Sequence, residues 1–336
     1  MAFLSANPPF PAGKPVFCAI LANTLLSTVP GVSGAGPSAE KTLLTPVLDA
    51  ELITNGAITS LPVKPNTPSG CPTPATITRA MVDLCSLQPV FVNAGLCNAP
   101  TVPCFDVYGT AGRDPRFEDA VPNAKDLFER GKVIGRTLSS AGNLLVLGEC
   151  VPGGTTTALC VLRALGYPAS VSSSFINNPL SVKEEIARAS LERIRSAGVV
   201  SPLDIVRYTG DPMMPVAAGI VHSWQGDILL AGGTQMLAVA ALIKALGVGV
   251  PPIVTTIYVR DDRSANVEHL AGLIGAEMYY VDPAFGDLGN PGLARYCSGE
   301  VKEGTGAGGA MCLASMLGHS PDSIRQKILS TVSAFS

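Results

Sequence analysis

The sequence is poor in aromatic residues, in charged residues and in long apolar runs, and each shortage excludes a class of protein. Aromatic residues make up 5% and charged residues 15% of the 336 residues, and the net charge is −3. A nucleic-acid partner requires a cationic face for counterion release, so we expect no nucleic-acid binding. Polar residues interrupt the longest apolar stretches, none of which approaches the roughly 20 residues of a membrane span. We therefore expect no association with a membrane.

Signals for export and for metal binding are also missing. The N-terminus lacks the charged start and the long apolar segment of a signal peptide. The nine cysteines include no CxxC pair, and no histidine lies beside Cys97 and Cys104, the two closest in sequence. We expect a cytoplasmic protein with reduced thiols, no metal and no cofactor, and we assign no catalytic role to the three scattered histidines, His222, His269 and His319.

Hydrophobic residues nevertheless reach 47%, and from residue 86 onward their pattern alternates between strands and helices. Short apolar runs are typical of strands buried on both faces; they are Val90–Val92, Asn143–Leu147, Ile228–Ala231, Ile253–Val259 and Met278–Val281. Helical spacing or capping signals mark helices over Asn123–Leu138, over Ser181–Ser196 with Ser181 and Glu184 as a capping box, and from Ser320 onward. Such alternation predicts an α/β fold with a Rossmann-like, mainly parallel sheet flanked by helices.

The first 85 residues have a different composition. They are rich in Pro, Gly, Ser and Thr and contain only short apolar pieces such as Val16–Leu26. We expect residues 1–85 to form a smaller irregular or helical subdomain that packs on an α/β domain of residues 86–336.

Three glycine-rich segments precede helical stretches, and two of them follow predicted strands. They are Gly148-Glu-Cys-Val-Pro-Gly-Gly-Thr-Thr-Thr157, Gly232-Gly-Thr-Gln235 and Glu303-Gly-Thr-Gly-Ala-Gly-Gly309. The first N–H groups of a helix lack internal partners and the helix dipole is positive there, so such starts favour anions. One such turn is most often only a tight connection, but three together indicate a ligand site at the carboxyl edge of the sheet.

Three ionisable residues accompany these segments. Glu149 and Glu303 each lie at a glycine-rich turn, where a carboxylate can bind ribose hydroxyls, accept a proton or merely cap a helix. Lys183 falls in the first turn of its predicted helix, where the dipole disfavours a cation unless an anionic ligand is bound. The alternative is an exposed lysine that pairs with Glu184 or Glu185.

The first and third segments resemble motifs of the nicotinate-nucleotide:dimethylbenzimidazole phosphoribosyltransferases. Gly148–Thr156 is similar to their Gly-Glu-x-x-x-Gly-x-Thr-Thr loop, and Glu303–Ala307 is similar to their Gly-Glu-Gly-[Ser/Thr]-Gly-Ala motif. The resemblance covers roughly residues 90–320, and the opening region around residues 29–36 resembles a branch found in archaea and cyanobacteria. It departs at Val151-Pro152, where the family has Gly-Ile, and at Lys302, where the family has Gly. A Pro-Pro-Gly-Ser-Leu-Gly element of the family is absent.

The resemblance implies a homodimeric enzyme that transfers the phosphoribosyl group of nicotinate mononucleotide to dimethylbenzimidazole, adenine or a similar aromatic base. The products are nicotinate and an α-ribotide for the lower ligand of cobamides. Glu303 matches the family's catalytic carboxylate and Glu149 the acid beside the ribose. We expect substrate contacts from Glu149, Val151, Gly153, Gly154, Thr155, Thr156, Lys183, Gly232, Gly233, Thr234, Gly304 and Thr305.

Two alternatives remain open at this stage. A non-catalytic nucleotide- or phosphate-binding protein of the same fold would keep the glycine-rich turns without the transfer. A nicotinamide-dependent oxidoreductase is disfavoured because no strand is followed by GxGxxG and an acid about 20 residues later.

Overall fold

A computed structural model describes residues 2–36 and 38–335. Its seven strands are β1 Pro15–Ala22, β2 Val90–Gly95, β3 Phe105–Asp106, β4 Leu144–Cys150, β5 Asp227–Ala231, β6 Ile253–Thr256 and β7 Met278–Val281. They form one sheet in the order β3-β2-β1-β4-β5-β6-β7, and every neighbouring pair is parallel. The predicted parallel α/β fold is therefore confirmed.

Helices cover both faces of this sheet. They are α1 Ala39–Asn55, α2 Pro74–Leu84, α3 Ala124–Ser139, α4 Gly154–Ala164, α5 Leu180–Ala197, α6 Pro202–Thr209, α7 Met213–Ser223, α8 Thr234–Ala245, α9 Ile257–Arg260, α10 Val267–Ile274, α11 Pro291–Ala294, α12 Ala307–Met316 and α13 Pro321–Ser333. Short 3-10 helices span Leu25–Thr28 and Phe285–Asp287. No helix within residues 2–36 and 38–335 is long and apolar enough to cross a membrane.

Two apolar cores result, one on each face of the sheet. Side chains that alternate along the strands explain the division: Cys18 and Ile20 of β1 join the core beneath α3, α4, α7 and α8, whereas Phe17 and Leu21 join the core beneath α1, α2, α12 and α13. Strands buried on both faces have continuous apolar sequences, and every residue of β4 is buried.

The N-terminal region differs from its prediction as a subdomain packed on the main body. Pro15–Ala22 is the third of the seven strands across the sheet, between β2 and β4, and α2 packs against α12 and α13. This segment is a continuous apolar run of strand length, but turn-forming residues on both sides made it resemble an irregular piece.

Three local predictions also need correction or confirmation. The predicted strand Ile253–Val259 ends at Thr256 and continues as α9, because a short apolar run alone does not distinguish a strand from a helix. The capping box is wrong: α5 begins at Leu180, which places Ser181 inside its first turn. The cap at Ser320 is confirmed, since its side chain accepts a hydrogen bond from the Ser323 N–H.

The direction of strand order changes between β1 and β4. The chain builds β1, β2 and β3 outward on one side and then returns to place β4 on the other side of β1. Ligands of open parallel sheets bind outside the carboxyl ends of the strands at such a switch point. Glu149, opposite Ile20 in the register of β1 and β4, lies at this position.

Candidate functional site

Three helices begin at the carboxyl edge of the sheet, after the three glycine-rich segments. Gly153 and Gly306, which precede α4 and α12, adopt positive φ angles of 81° and 71° that glycine tolerates best. A Cβ atom at Gly309 would lie 2.3 Å from the Cβ atom of Ala231, so α12 packs almost directly on β5. The Thr305 N–H also donates to the Glu149 carbonyl oxygen at 2.9 Å, which joins the first and third segments.

These helix starts surround a cleft of about 340 Å³, counted with the space open to solvent. Most of its lining residues carry polar side chains; the lining consists of Glu149, Thr155, Ser172, Ser173, Ser174, Gly233, Thr234, Gln235, Val259, Lys302 and Glu303. The cleft therefore brings together the predicted catalytic residue, Glu303, and four of the predicted substrate contacts: Glu149, Thr155, Gly233 and Thr234. In the described part of the chain, no group of three His, Cys, Asp or Glu side chains is placed to hold a metal ion.

The other predicted residues support the cleft from behind or point elsewhere. Val151 contributes its N–H, which donates to Glu149 Oε2 at 3.1 Å. Thr156 is fully buried, and its hydroxyl has no hydrogen-bond partner among the described residues. Thr305 points away from the cleft, because its hydroxyl bonds Asp49 Oδ2 of α1 at 3.0 Å.

The remaining glycines shape the backbone at the ends of strands and the starts of helices. Gly153 and Gly154 form the turn into α4, where a Cβ atom at Gly154 would overlap the Gln235 side chain. Gly232 directly follows β5, and its N–H donates to the Val254 carbonyl oxygen at 3.0 Å. The Gly304 N–H donates to Glu303 Oε1 at 3.1 Å.

Glu149 is buried without a cationic partner among its main interactions. Burial, followed by the negative charges of Asp211 and Glu303, raises the pKa of Glu149 to about 8, although the Val151 N–H and the Gln235 side chain favour the ionised form. Removing a carboxylate from water disfavours its charge unless it is paired. At neutral pH Glu149 is thus mostly protonated and can donate as well as accept a hydrogen bond.

Glu303 is held by the start of α12. Its Oε1 accepts from the Gly308 N–H at 3.1 Å, and its Oε2 accepts from the Thr255 hydroxyl at 3.3 Å. Burial raises the pKa of Glu303 to about 7, against the opposing effect of these hydrogen bonds. Glu303 therefore caps a helix and also faces the cleft, with a pKa near neutrality.

Lys183 of α5 is wholly buried and is not the exposed ion-pair partner of the alternative interpretation. Its Nζ donates to Thr155 Oγ1 at 3.1 Å, whereas Glu184 pairs with Arg163, with Nη2 and Oε1 2.6 Å apart. Burial, followed by repulsion from Lys302, lowers the pKa of Lys183 to about 7, and Asp262 opposes this shift. Lys183 lies behind Thr155 at the start of α4.

Sequence reasoning missed an ion pair in the wall of the cleft. Lys302 Nζ lies 2.6 Å from Asp262 Oδ2 and donates to the Ser173 carbonyl oxygen at 2.7 Å. Asp262 also accepts from the Ser172 hydroxyl at 2.6 Å, and its hydrogen bonds hold its pKa at about 2 despite burial. The available signal was Lys302 itself, a charged residue beside Glu303 at a position where the resembled motif has glycine.

Substituting Glu149 by Gln is expected to stabilise the free protein at pH 8 but not at pH 5. The pKa of Glu149 rises from 4.5 to about 8 on folding, so its contribution to stability is full below about 4.5 and is lost as the pH rises through about 8. Gln does not titrate. The two pKa values imply a loss on the order of 3 kcal/mol between pH 5 and pH 8, so the melting temperature of the variant relative to wild type should increase by about 5 °C over this range.

Calorimetry at the two pH values measures this difference. Glu129→Gln is a matched control, because the Glu129 side chain is 64% exposed and forms a surface ion pair with Lys132. An equal melting-temperature difference at both pH values would contradict a buried, mostly protonated Glu149.

The strand order and the cleft define an α/β protein with the sheet topology of dinucleotide-binding folds and a cleft at the carboxyl edge of the sheet. The chain belongs to the UPF0284 family. It is 42% identical over 328 residues to the UPF0284 protein of Methanosarcina mazei, covering 94% of this chain and 93% of that protein. It is 44% identical over 322 residues to the UPF0284 protein of Thermococcus gammatolerans, with 93% and 96% covered.

Two solved structures share the fold. The nicotinate-nucleotide-dimethylbenzimidazole phosphoribosyltransferase from Thermus thermophilus has a TM-score of 0.62 at 17% identity, covering 97% of this chain and 84% of that chain. CobT from the same organism gives the same TM-score and identity, with 96% and 84% covered. These structures confirm the fold that the sequence resemblance implied. No family model matches the chain.

Proposed function

We propose that this protein transfers the 5-phosphoribosyl group of nicotinate mononucleotide to a nitrogen of an aromatic base, releasing nicotinate. The observation that carries the proposal is that two carboxylates of raised pKa, the buried Glu149 and the partly buried Glu303, line one cleft together with glycine-rich helix starts. The fold shared with a phosphoribosyltransferase and the order of the two motifs along the chain support it.

The phosphate of the donor would bind where α4 and α8 begin. Thr155 and Thr234 supply hydroxyl groups in the first turns of these helices, and Lys183 bonds Thr155 from behind. A phosphate there would favour the charged form of Lys183, whose pKa burial depresses in the free protein. Binding at the phosphate then fixes the sugar relative to the two carboxylates.

Glu149 would contact the ribose hydroxyls, and Glu303 would act as the base. Nicotinate leaves from a pyridinium, so the electron pair of the breaking C1′–N bond neutralises the ring and no acid is needed. The nitrogen of the incoming base attacks C1′ from the opposite face, which inverts β to α. As the new bond forms, the ring of the incoming base becomes cationic and acidic, and its N–H proton passes to Glu303. The pKa of Glu303, about 7, suits a base that works near neutral pH.

The acceptor remains one of the bases implied by the resemblance: dimethylbenzimidazole, adenine or another purine-like base. The test is to incubate the protein with nicotinate mononucleotide and each base in turn, and to measure free nicotinate by chromatography. Release that depends on an added base supports the transfer. The proposed transfer would be contradicted if a folded protein that binds the nucleotide released no nicotinate with any base.

A second candidate is nucleotide binding without turnover. One observation favours it: both carboxylate oxygens of Glu303 already accept hydrogen bonds from the backbone of α12, as expected of a structural helix cap. The two candidates differ in what a Glu303 variant does to turnover.

The position of Glu303 is open to a separate test through Gly308. A Cβ atom at Gly308 would lie 2.6 Å from Glu303 Oε2 and 2.9 Å from the Thr255 carbonyl carbon. The backbone of β6 is held in the sheet and cannot easily move away, so Gly308→Ala should displace the Glu303 carboxylate. Nicotinate release should fall by about 100-fold, the usual effect of a 1 Å misplacement in an active site.

Steady-state kinetics and a nucleotide-binding measurement check this result. Gly272→Ala in α10 is the control, since a Cβ atom there meets nothing within 4 Å. Full activity in Gly308→Ala would mean that the reaction does not depend on where Glu303 is held.

Two expectations of the sequence accompany the proposal, a cytoplasmic location and a homodimer. The dimer can be tested by sedimentation of the purified protein, for which a mass near twice 34.5 kDa is expected.

A further inference from the structure

Two buried lysines lie in or beside the cleft, and only Lys183 matches a position that the resemblance implied. Lys183 reaches Thr155 from behind, and Lys302 lines the cleft directly. Their relative exposures are 0% and 6%. The two cations repel each other, and Asp262 offsets this repulsion only in part. An anionic ligand bound beside them would offset it further.

The groups around Lys302 suit a phosphate. Ser172, Ser173 and Thr234 line the same part of the cleft, and the Ser172 N–H donates to Thr234 Oγ1 at 3.2 Å in the first turn of α8. In the free protein the hydroxyl groups of these three residues donate to Asp262, to Asn178 and to the Ser172 carbonyl oxygen, respectively. A phosphate would therefore accept mainly from the start of α8 and from Lys302.

The donor count of Lys302 leaves room for a ligand. An ammonium group has three N–H bonds. Two are used within the protein, toward Asp262 Oδ2 and toward the Ser173 carbonyl oxygen. Asp262 is itself fixed by the Ser172 hydroxyl and by the N–H and hydroxyl of Ser264, so the pair holds the Lys302 ammonium in a defined place.

We propose that Lys302 is a second cationic ligand of the donor's 5′-phosphate, and that Asp262 is the counter-ion which keeps Lys302 in position when no ligand is bound. The inference rests on the proposed function. A dianionic phosphate would then have Lys302 beside it and Lys183 behind Thr155, and Lys302 would favour a mononucleotide over the corresponding nucleoside.

The experiment measures binding of three ligands by calorimetry or ligand-detected NMR: nicotinate mononucleotide, ribose 5-phosphate and nicotinate riboside, which lacks the phosphate. Lys302→Met should weaken both phosphorylated ligands by about 30-fold, within the range for a hydrogen bond to a charged group, and change riboside binding less than about twofold. Asp262→Asn should strengthen both phosphorylated ligands, because it removes a competing carboxylate.

The double variant Lys302→Met/Asp262→Asn distinguishes two roles of Lys302: binding the phosphate, or only neutralising the charge of Asp262. If Lys302 binds phosphate, the double variant stays weak for both phosphorylated ligands. Recovery of wild-type affinity would show that Lys302 only neutralises Asp262 and would overturn the proposal. The proposal would also be overturned if Lys302→Met weakened riboside binding as much as nucleotide binding. It would be overturned too if the wild-type protein bound neither phosphorylated ligand. Melting curves confirm that each variant is folded.

Failure of this inference is distinguishable from failure of the proposed reaction. Ribose 5-phosphate carries no nicotinate, so its dependence on Lys302 tests the phosphate site without any turnover. If that dependence is found but no base ever releases nicotinate, the phosphate site stands and the transfer reaction does not.

Discussion

Replacing Glu303 by Gln is expected to lower kcat for nicotinate release by about 10³-fold, within the range for loss of a general base, and to leave the Kd for nicotinate mononucleotide nearly unchanged. Gln has the size of Glu but cannot accept the proton of the incoming base. Its side-chain oxygen can still accept the Gly308 N–H that Glu303 accepts in the wild type, so the start of α12 should keep its cap.

The pH dependence gives a second readout of the same variant. Glu303 is ionised above its pKa of about 7, and only the ionised form accepts a proton. Wild-type kcat should therefore rise with pH through about 7, and this limb should be missing in the Gln variant. Stopped assays from pH 5.5 to 8.5 measure both, with Glu129→Gln as the surface control. Wild-type turnover in Glu303→Gln would remove Glu303 from the chemistry and leave it a helix cap.

Lys183→Met should weaken binding of nicotinate mononucleotide by about 100-fold, since it removes the buried cation that lies behind Thr155 at the proposed phosphate site, an effect on the order of 3 kcal/mol. Its pH dependence has a defined sign. In the free protein the pKa of Lys183 is about 7, so at pH 8 most of the side chain is neutral and must gain a proton when phosphate binds. Wild-type affinity should thus fall as the pH rises above 7.

Calorimetry in buffers of different ionisation enthalpy measures this proton uptake. Because the phosphate, Glu149 and Glu303 also titrate in this range, the decisive quantity is the difference in uptake between wild type and Lys183→Met. Lys125→Met is the matched control, because Lys125 is a surface residue whose side chain is 64% exposed. Equal uptake in wild type and Lys183→Met would place the phosphate away from this lysine.

Most of the fold was predictable because parallel strands buried on both faces leave continuous apolar runs in the sequence. The predicted strand Met278–Val281 has the observed bounds, and the runs at β4 and β5 were found to within a few residues. Pro15–Ala22 was missed because its apolar run is embedded in proline- and glycine-rich sequence. Only the pairing with β2 and β4 assigns it to the middle of the sheet, and pairing is not visible in a local window.

The candidate site was predictable where the backbone needs glycine and not where distant side chains meet. Glu149 and Glu303 were found because each lies at a glycine-rich helix start. The Lys302–Asp262 pair joins residues 40 positions apart, and the serines of 172–174 lie in a loop without periodicity. The misassigned capping box has a similar cause: Glu184 matches the local pattern, but Arg163, 21 residues away, binds its carboxylate.

The central claim is that this cleft transfers a phosphoribosyl group with inversion at C1′. Proton NMR of the purified protein with nicotinate mononucleotide and one base at a time tests it directly. We predict that nicotinate and a new α-configured ribotide appear in equal amounts, and only when a base is present. Unchanged nucleotide with every base, or nicotinate formed together with ribose 5-phosphate by hydrolysis, would contradict the account.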